Sequence, residues 1–173
     1  DCHVAPGSDP SYAAGFQVTA EESEAVVGAM EEINPPLITV DFGTAVTINC
    51  VDSSRRCLGG VIFAGAETQL CALSTKTYKI KKFKLQRKNT ILGQNTEEAL
   101  SIGILNSIWG GVQLIVERIV SEHLGSVQVP VFVTGGGYES FKVLVNEWEY
   151  PNKFYRKNLV IQGLLALAKS ERQ

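Results

Sequence analysis

The 173-residue chain is short of several things that would announce a function. It has two histidines and four cysteines, and Cys2, Cys50, Cys57 and Cys71 nowhere form a Cys-x-x-Cys pair. A zinc site therefore has no ligand spacing to rest on. Cys50 and Cys57 could face each other across a hairpin, but buried free thiols are the simpler reading, and a reducing cytoplasm is the default compartment. No uninterrupted run of about 18 apolar residues occurs, which argues against a membrane span. Neither sign of charge dominates, since 16 Lys and Arg stand against 18 Asp and Glu. A nucleic-acid partner thus has no bulk electrostatic support. No Ser-His-Asp constellation, close pair of catalytic carboxylates, internal repeat or low-complexity stretch is visible. The opening DCHVAPGSDP lacks an initiator Met and the basic-then-apolar pattern of a signal peptide, and is expected to be an internal cut.

What is present is enough for a packed domain. Hydrophobic residues make up 45% and charged residues 20%, which suits one domain, or one domain with the remnant of another. In TAEESEAVVGAMEEIN, Ala25, Val26, Ala29, Met30 and Ile33 recur at helical spacing, with acids opposite. Pro35 and Pro36 end that helix. Three strand-like runs follow, Leu37–Asp41, Ala45–Val51 and Cys57–Phe63, joined by turns short enough for an antiparallel meander. Residues 66–75 suit a short helix. KTYKIKKFKLQRK puts seven cations into thirteen residues, and its Lys/apolar alternation fits an extended, exposed edge segment.

Asn95 and Glu98 read as the N-cap and N3 of a capping box. They open a long helix to about Leu124, broken or tightly packed near Gly110-Gly111. VPVFVTGGGYES reads as strand, glycine loop and helix, and NLVIQGLLALAKS as a last strand-to-helix passage. This β-β-β-α-β-α order predicts an α/β fold: a mixed sheet with a three-strand antiparallel meander flanked by helices, as in the ribonuclease-H-like half of actin-type ATPases.

Chemistry-bearing residues gather at the turns. In DFGTAVT, Gly43 lets the backbone approach a ligand. Thr44 and Thr47 add hydroxyls, the turn's N–H groups can form an anion-binding nest, and Asp41 can hold a hydrated magnesium or another cation. The same letters also suit a plain Asp-led hairpin. VTGGG, with Gly135 and Gly136, lies between strand and helix, where helix N–H groups favour phosphate. Gly59, Gly60 and Gly65 in LGGVIFAG suit a structural bulge better than a ligand site. The stretch GQNTEEALSIG places a helix N-terminus near these loops, and reads equally as a plain N-cap. His123, near a helix end beside Gly125, reads as a surface C-terminal cation.

Taken in series, VDFGTAVT, LGGVIFAG, TKTYKI, ILGQNTEEALSIG, VFVTGGG and NLVIQGLLAL resemble type III pantothenate kinases of the acetate-kinase/Hsp70/actin superfamily. The resemblance runs from roughly Leu37 to Ala168. It implies ATP-dependent phosphorylation of pantothenate in coenzyme A biosynthesis, with magnesium and a monovalent cation (K+ or NH4+), in a cytoplasmic dimer. It implies that Asp41, Gly43, Thr44 and Thr47 hold phosphate and metal, and that Gly135 and Gly136 lie by the nucleoside. Gly59, Gly60, Gly65 and Thr77 would line the substrate and phosphate region. It also divides the chain into residues 1–36, a remnant of an N-terminal domain with its linking helix, and residues 37–173, the C-terminal ATPase domain.

The departures from the family are specific. Its first phosphate loop, Asp-x-Gly-Asn-Thr, does not occur here. Its Gly-Ala-Asp-Arg motif, which carries the expected base, aligns either with DPSYAAGFQ or with TAEES. The first puts Phe16 and Gln17 at Asp and Arg; the second puts Glu21 and Glu22 there, with Glu21 the sole substitute for the base. Ala64 stands for the proline usual before Gly65. This chain alone is therefore expected not to catalyse. The alternative is a non-catalytic or regulatory paralogue, or one subunit of a heteromeric kinase.

Overall fold

The computed structural model describes residues 20–77, 80, 83–125 and 128–170. The first element is helix α1 (Ala20–Glu32), with Ala25, Val26 and Ala29 turned inward as the periodicity predicts. Strands β1 (Leu37–Phe42), β2 (Ala45–Val51) and β3 (Cys57–Ala64) follow as the expected meander. After them come α2 (Ala66–Lys76), α3 (Thr96–Ile119), β4 (Val131–Thr134), α4 (Tyr138–Glu147), β5 (Lys153–Tyr155) and α5 (Leu159–Ser170). The five strands form one mixed sheet in the order β3-β2-β1-β4-β5. β1 is antiparallel to β2 but parallel to β4, and β4 is parallel to β5.

Because side chains alternate along a strand, each strand divides its residues between two faces. Ile38, Val40, Phe42, Val46, Ile48, Val131 and Val133 point to one face and join Ile104, Leu105, Ile108, Trp109 and Val112 of α3 and Phe141 of α4 in the main core. Phe42 stacks on Phe141 with ring centroids 4.4 Å apart, and Trp109 meets Trp148 edge-on at 5.5 Å. Leu37, Val51 and Phe132 point to the other face and pack with α1 and Leu159 of α5. α1 and α5 approach closely because their crossing is built on glycines. A Cβ on Gly28 would collide with the Leu159 carbonyl, and one on Gly163 with the Glu24 carbonyl.

The N-cap of α3 forms as read, with the Glu98 N–H donating to Asn95 Oδ1 at 3.0 Å, but the return bond falls one residue earlier than in a capping box: Glu98 Oε2 accepts from the Gln94 N–H at 2.9 Å. That second bond holds the Glu98 carboxyl below the usual carboxylate range, helped by nearby Lys88. The helix then continues through a π turn (Val120–Leu124) to Gly125.

Several expectations are corrected. Gly110 and Gly111 neither break α3 nor pack tightly, since both lie mid-helix with nothing within 4 Å of an added Cβ. The last strand is Lys153–Tyr155, and Asn158-Leu159-Val160 leads directly into α5. Among the described residues of the basic segment there is no strand; the sheet edges are β3 and β5, and Leu85 is buried in the main core. Cys50 is buried and free, but Cys57 is exposed and Cys71 half-buried; Cys2 lies outside the described residues. Thr96–Leu124 is long and apolar enough, by length and composition alone, to cross a membrane. In this structure it is the central core helix.

Candidate functional site

The meander's first turn and the loop after β4 meet at one carboxylate. Asp41 is half-buried near the end of β1, and its register partners are Thr47 on β2 and Thr134 on β4. Its neighbour Phe42 is anchored in the core, so the strand end is held while Asp41 points to the opposite face. Gly135 follows β4 with φ of 100°, a conformation that strains any residue with a side chain. A Cβ there would also collide with Asp41 Oδ1 and with the Phe42 backbone N, 2.6 Å away. On the other side, a Cβ on Gly43 would lie 3.9 Å from Asp41 Oδ1. Two glycines thus bracket the carboxylate, Gly135 packing closely against it and Gly43 lying farther off.

Backbone hydrogen bonds hold these loops in place. The Gly43 N–H donates to the Ala45 carbonyl at 2.9 Å, and the Gly137 N–H to the Phe42 carbonyl at 2.6 Å. The Thr44 carbonyl accepts from the Gly65 N–H at 2.9 Å and from Thr68 Oγ1 at 2.6 Å. Gly65 accordingly packs against the turn, where a Cβ would collide with the Gly43 carbonyl. The expected nest of outward amides is therefore reduced. Gly43, Gly65 and Gly137 spend theirs on the scaffold, while Thr44 is exposed and Gly136 has open space beside it.

Not every candidate joins this cluster. Gly60 shares the Asp41 face, because it pairs with Asn49 two residues beyond Thr47 on β2. Gly59 turns to the opposite face, where it lines a groove of about 350 Å³ with Cys50, Val61, Ile119 and His123. Burial pushes the Cys50 thiol there up to about 11, with Cys57 and Asp52 adding to the shift. Thr77 is exposed at the C-cap of α2, its hydroxyl donating to the Leu73 carbonyl at 2.8 Å. The 11-residue helix carries it roughly 18 Å from Gly65 by helical rise. Glu21 belongs to the first turn of α1; Phe16 and Gln17 lie outside the described residues. A further groove of about 540 Å³ includes Arg87, Lys88, Asn106 and Glu147. Its cations are already paired, Arg87 with Glu147 at 2.8 Å and Lys88 with Glu98 at 3.5 Å.

Sequence reasoning missed how far the polar character extends. Thr39, Asp41, Thr47, Asn49 and Thr134 all lie on one face, opposite the main core. Thr39, Asn49 and Thr134 are each no more than 2% exposed. The signal was in the letters, since LITVDF and AVTINCV place polar residues at every second position in part of each strand. Among the described residues no group of three or more His, Cys, Asp or Glu is placed to hold a metal. One strand-end carboxylate with threonine hydroxyls suits a cation that keeps much of its water and shares it with phosphates, as Mg2+ does.

The solved structures most like this one at the level of fold include an archaeal actin homologue, Ta0583, with TM-score 0.54 and 15% identity over 86% of this chain and 54% of that one. The activator of the 2-hydroxyisocaproyl-CoA dehydratase from Clostridium difficile, solved with bound ADPNP, matches with TM-score 0.52 and 15% identity over 88% of this chain and 67% of that one. These identities speak for the fold alone, an actin-like α/β fold. At the level of sequence, the chain is 32% identical to a type III pantothenate kinase of Sulfurihydrogenibium sp., over 73% of this chain and 49% of that protein. It is 31% identical to the one from Thermosipho africanus, over 86% and 57%, and 36% identical to the one from Streptomyces coelicolor, over 69% and 46%. The chain thus spans about half the length of the curated relatives it matches. The type III pantothenate kinase family model matches residues 5–118, well over half of the chain, and the chain belongs to that family.

Proposed function

We propose that this domain forms the C-terminal half of an ATP-dependent pantothenate kinase and supplies part of its phosphate and cation site. The observation that carries the reading is the bracketing of the Asp41 carboxylate by Gly43 and Gly135 at the end of β1. Phosphoryl transfer requires little covalent chemistry from the protein, and depends on positioning and charge neutralisation. A magnesium–ATP complex would supply the transferable phosphoryl group, and Asp41 would hold its cation or a monovalent partner ion. Thr44 and Thr47 offer hydroxyls on the β2 side; on the β4 side Gly135 lets its loop close onto Asp41, and Gly136, with open space beside it, would face the nucleoside. Gly65 keeps the β1–β2 turn in place. In this reading residues 1–36 link to a preceding domain, and 37–173 form the ATPase domain of a dimeric enzyme.

Phosphorylation of pantothenate by the full-length protein, with ATP, magnesium and potassium, is the test. Wild-type turnover is expected, and Asp41→Asn should lower kcat by about a hundredfold or more, since it removes a charge that steadies the phosphate region. No turnover by the wild type would remove the reading. One departure keeps a second reading in play: Glu21 or Phe16 stands where the family places its base. A subunit of a heteromeric kinase, completed by another chain's carboxylate, accounts for that. Recovery of only homodimers from the native source would dismiss it.

A further inference from the structure

Strand β3 is the longest of the five and the least protected. CLGGVIFA carries no charge and no proline, yet none of its eight residues is buried. Leu58, Val61 and Ile62 are 45%, 37% and 55% exposed. The strand is also a sheet edge, with no strand beyond it among the described residues. Edge strands are ordinarily guarded by charge, proline or shortness, because their free N–H and C=O groups invite pairing. The other edge keeps to that rule, since β5 has three residues and begins with Lys153. We propose that β3 pairs antiparallel with β3 of a second copy of this chain, joining the two sheets across a two-fold axis. The proposal names the interface of the dimer in the kinase reading, and rests on that part of the reading alone.

The strand complements itself. A two-fold axis normal to the sheet keeps like faces together, so each residue meets one of its own face. Centred on Val61, the register sets Gly60 opposite the partner's Ile62, Gly59 opposite the partner's Phe63, and Leu58 opposite the partner's Ala64. Bulky residues meet small ones on both faces. The hydrogen-bonding groups suit the same register. The Ala45 carbonyl is turned to β1, where it accepts from the Gly43 N–H. Its register partner Ala64 therefore turns away from β2, and the Ala64 carbonyl accepts from Gln69 Nε2 at 2.9 Å. By alternation the N–H and C=O groups of Gly60 and Ile62 point outward too, and these are the residues the register sets opposite each other. Charge agrees as well. Arg55, in the turn before β3, is carried towards the partner's Glu67, in the first turn of α2, and both positions are exposed. On the Asp41 face, the Asp41–Thr47–Ile62 rung continues into the partner's Gly60, so the second copy extends the floor beside the candidate site.

The test is the dimer dissociation constant of the full-length protein, measured by sedimentation equilibrium, with circular dichroism to check the fold. The wild type is expected to be a dimer. Ile62→Lys puts a charge on the edge and should weaken the dimer by about a hundredfold or more. Val143→Lys, at a comparably exposed position on α4, should leave it unchanged. Arg55→Glu should weaken it by about two- to fivefold, as an exposed pair allows, and Arg55→Glu combined with Glu67→Arg should restore it. A monomeric wild type overturns the proposal. So does a dimer that ignores Ile62→Lys, or one that Val143→Lys disrupts equally. If Ile62→Lys does not fold, the Arg55 and Glu67 exchange decides, and failure of the double variant to recover overturns the proposal. None of these readouts involves turnover. A β3-paired dimer that never phosphorylates pantothenate removes the kinase reading and leaves this inference, while an active enzyme whose dimer ignores Ile62→Lys does the reverse.

Discussion

The two faces of the central sheet follow different rules. Against α3 and α4 the sheet is apolar from end to end, with Ile38, Val40, Phe42, Val46 and Ile48 in one continuous core. Against α1 and α5 it is apolar only where Leu37, Val51 and Phe132 meet the helices, and polar beyond, at Thr39, Asp41, Thr47, Asn49 and Thr134. One face is given wholly to folding. The other is apolar at one end and carries polar side chains over the remainder, where the proposed site lies. The same strands serve both, so a side chain's role is set by the parity of its position as much as by its type.

The largest effect that could break this contrast comes from neighbouring positions near the Asp41 turn. Phe42 is 1% exposed and stacked on Phe141, so Phe42→Ala should cost about 3–5 kcal/mol through lost burial and the cavity left behind. Thr47→Val, on the opposite face and half-buried, should cost less than about 1 kcal/mol. Urea unfolding of the two variants measures both. Equal costs would mean that the division between the faces is not energetic.

A medium effect sharpens the second face. The α1–α5 crossing depends on close backbones, and a Cβ at Gly163 would fall 2.6 Å from the Glu24 carbonyl carbon. Gly163→Ala should therefore push the helices apart and cost about 1–3 kcal/mol, the usual range for overpacking. Gly103, inside α3, has nothing within 4 Å of an added Cβ. Gly103→Ala should stabilise by about 0.5–1 kcal/mol, because alanine loses less backbone freedom on entering a helix. Opposite signs from the same substitution in two helices, read by chemical unfolding, are the expected result.

Much of the fold was legible because its signals are local. The alternation in LITVDF and AVTINCV, the Asn95–Glu98 cap and the glycines after VFVT each appear within a few letters. What was not legible depends on partners distant in sequence. Lys153–Tyr155 is only three residues long, too short to show a period, and becomes a strand because β4 lies beside it. Leu159-Val160 is an apolar pair that suits strand and helix alike; the close approach to α1 accompanies its helical form. At the site, Asp41 and the glycines on either side were readable from turn chemistry. The place of Asn49 was not, since its setting between Thr39 and Gly60 comes from the register of two other strands. Gly59 and Gly60 are adjacent letters, yet they point to opposite faces.

The smallest expected effect compares the two Asp-led ends of the meander. Asp41 faces a glycine loop across the sheet. Asp52, at the β2–β3 turn, spends its carboxylate on its own loop. Its Oδ1 accepts from the Ser54 and Arg56 N–H groups, each at 2.9 Å, and Oδ2 accepts from the Arg56 guanidinium at 3.0 and 2.8 Å. Arg55 within the turn has φ of 64°, a conformation these bonds help to hold. The Arg56 amide, then its guanidinium and the Ser54 amide, keep the Asp52 carboxyl below the usual carboxylate value. A carboxyl whose folded pKa is depressed stabilises the fold fully above its unfolded pKa, near 3.9, and loses that contribution as pH falls through the lower folded value. Asp52→Asn should thus be less stable than wild type at neutral pH, with the gap closing only below about pH 4. Unfolding curves for both proteins from pH 7 to pH 3 measure it. A gap independent of pH would mean that the turn is held by its backbone shape and not by the ionised carboxylate, and the two aspartates would then differ less than their geometry suggests.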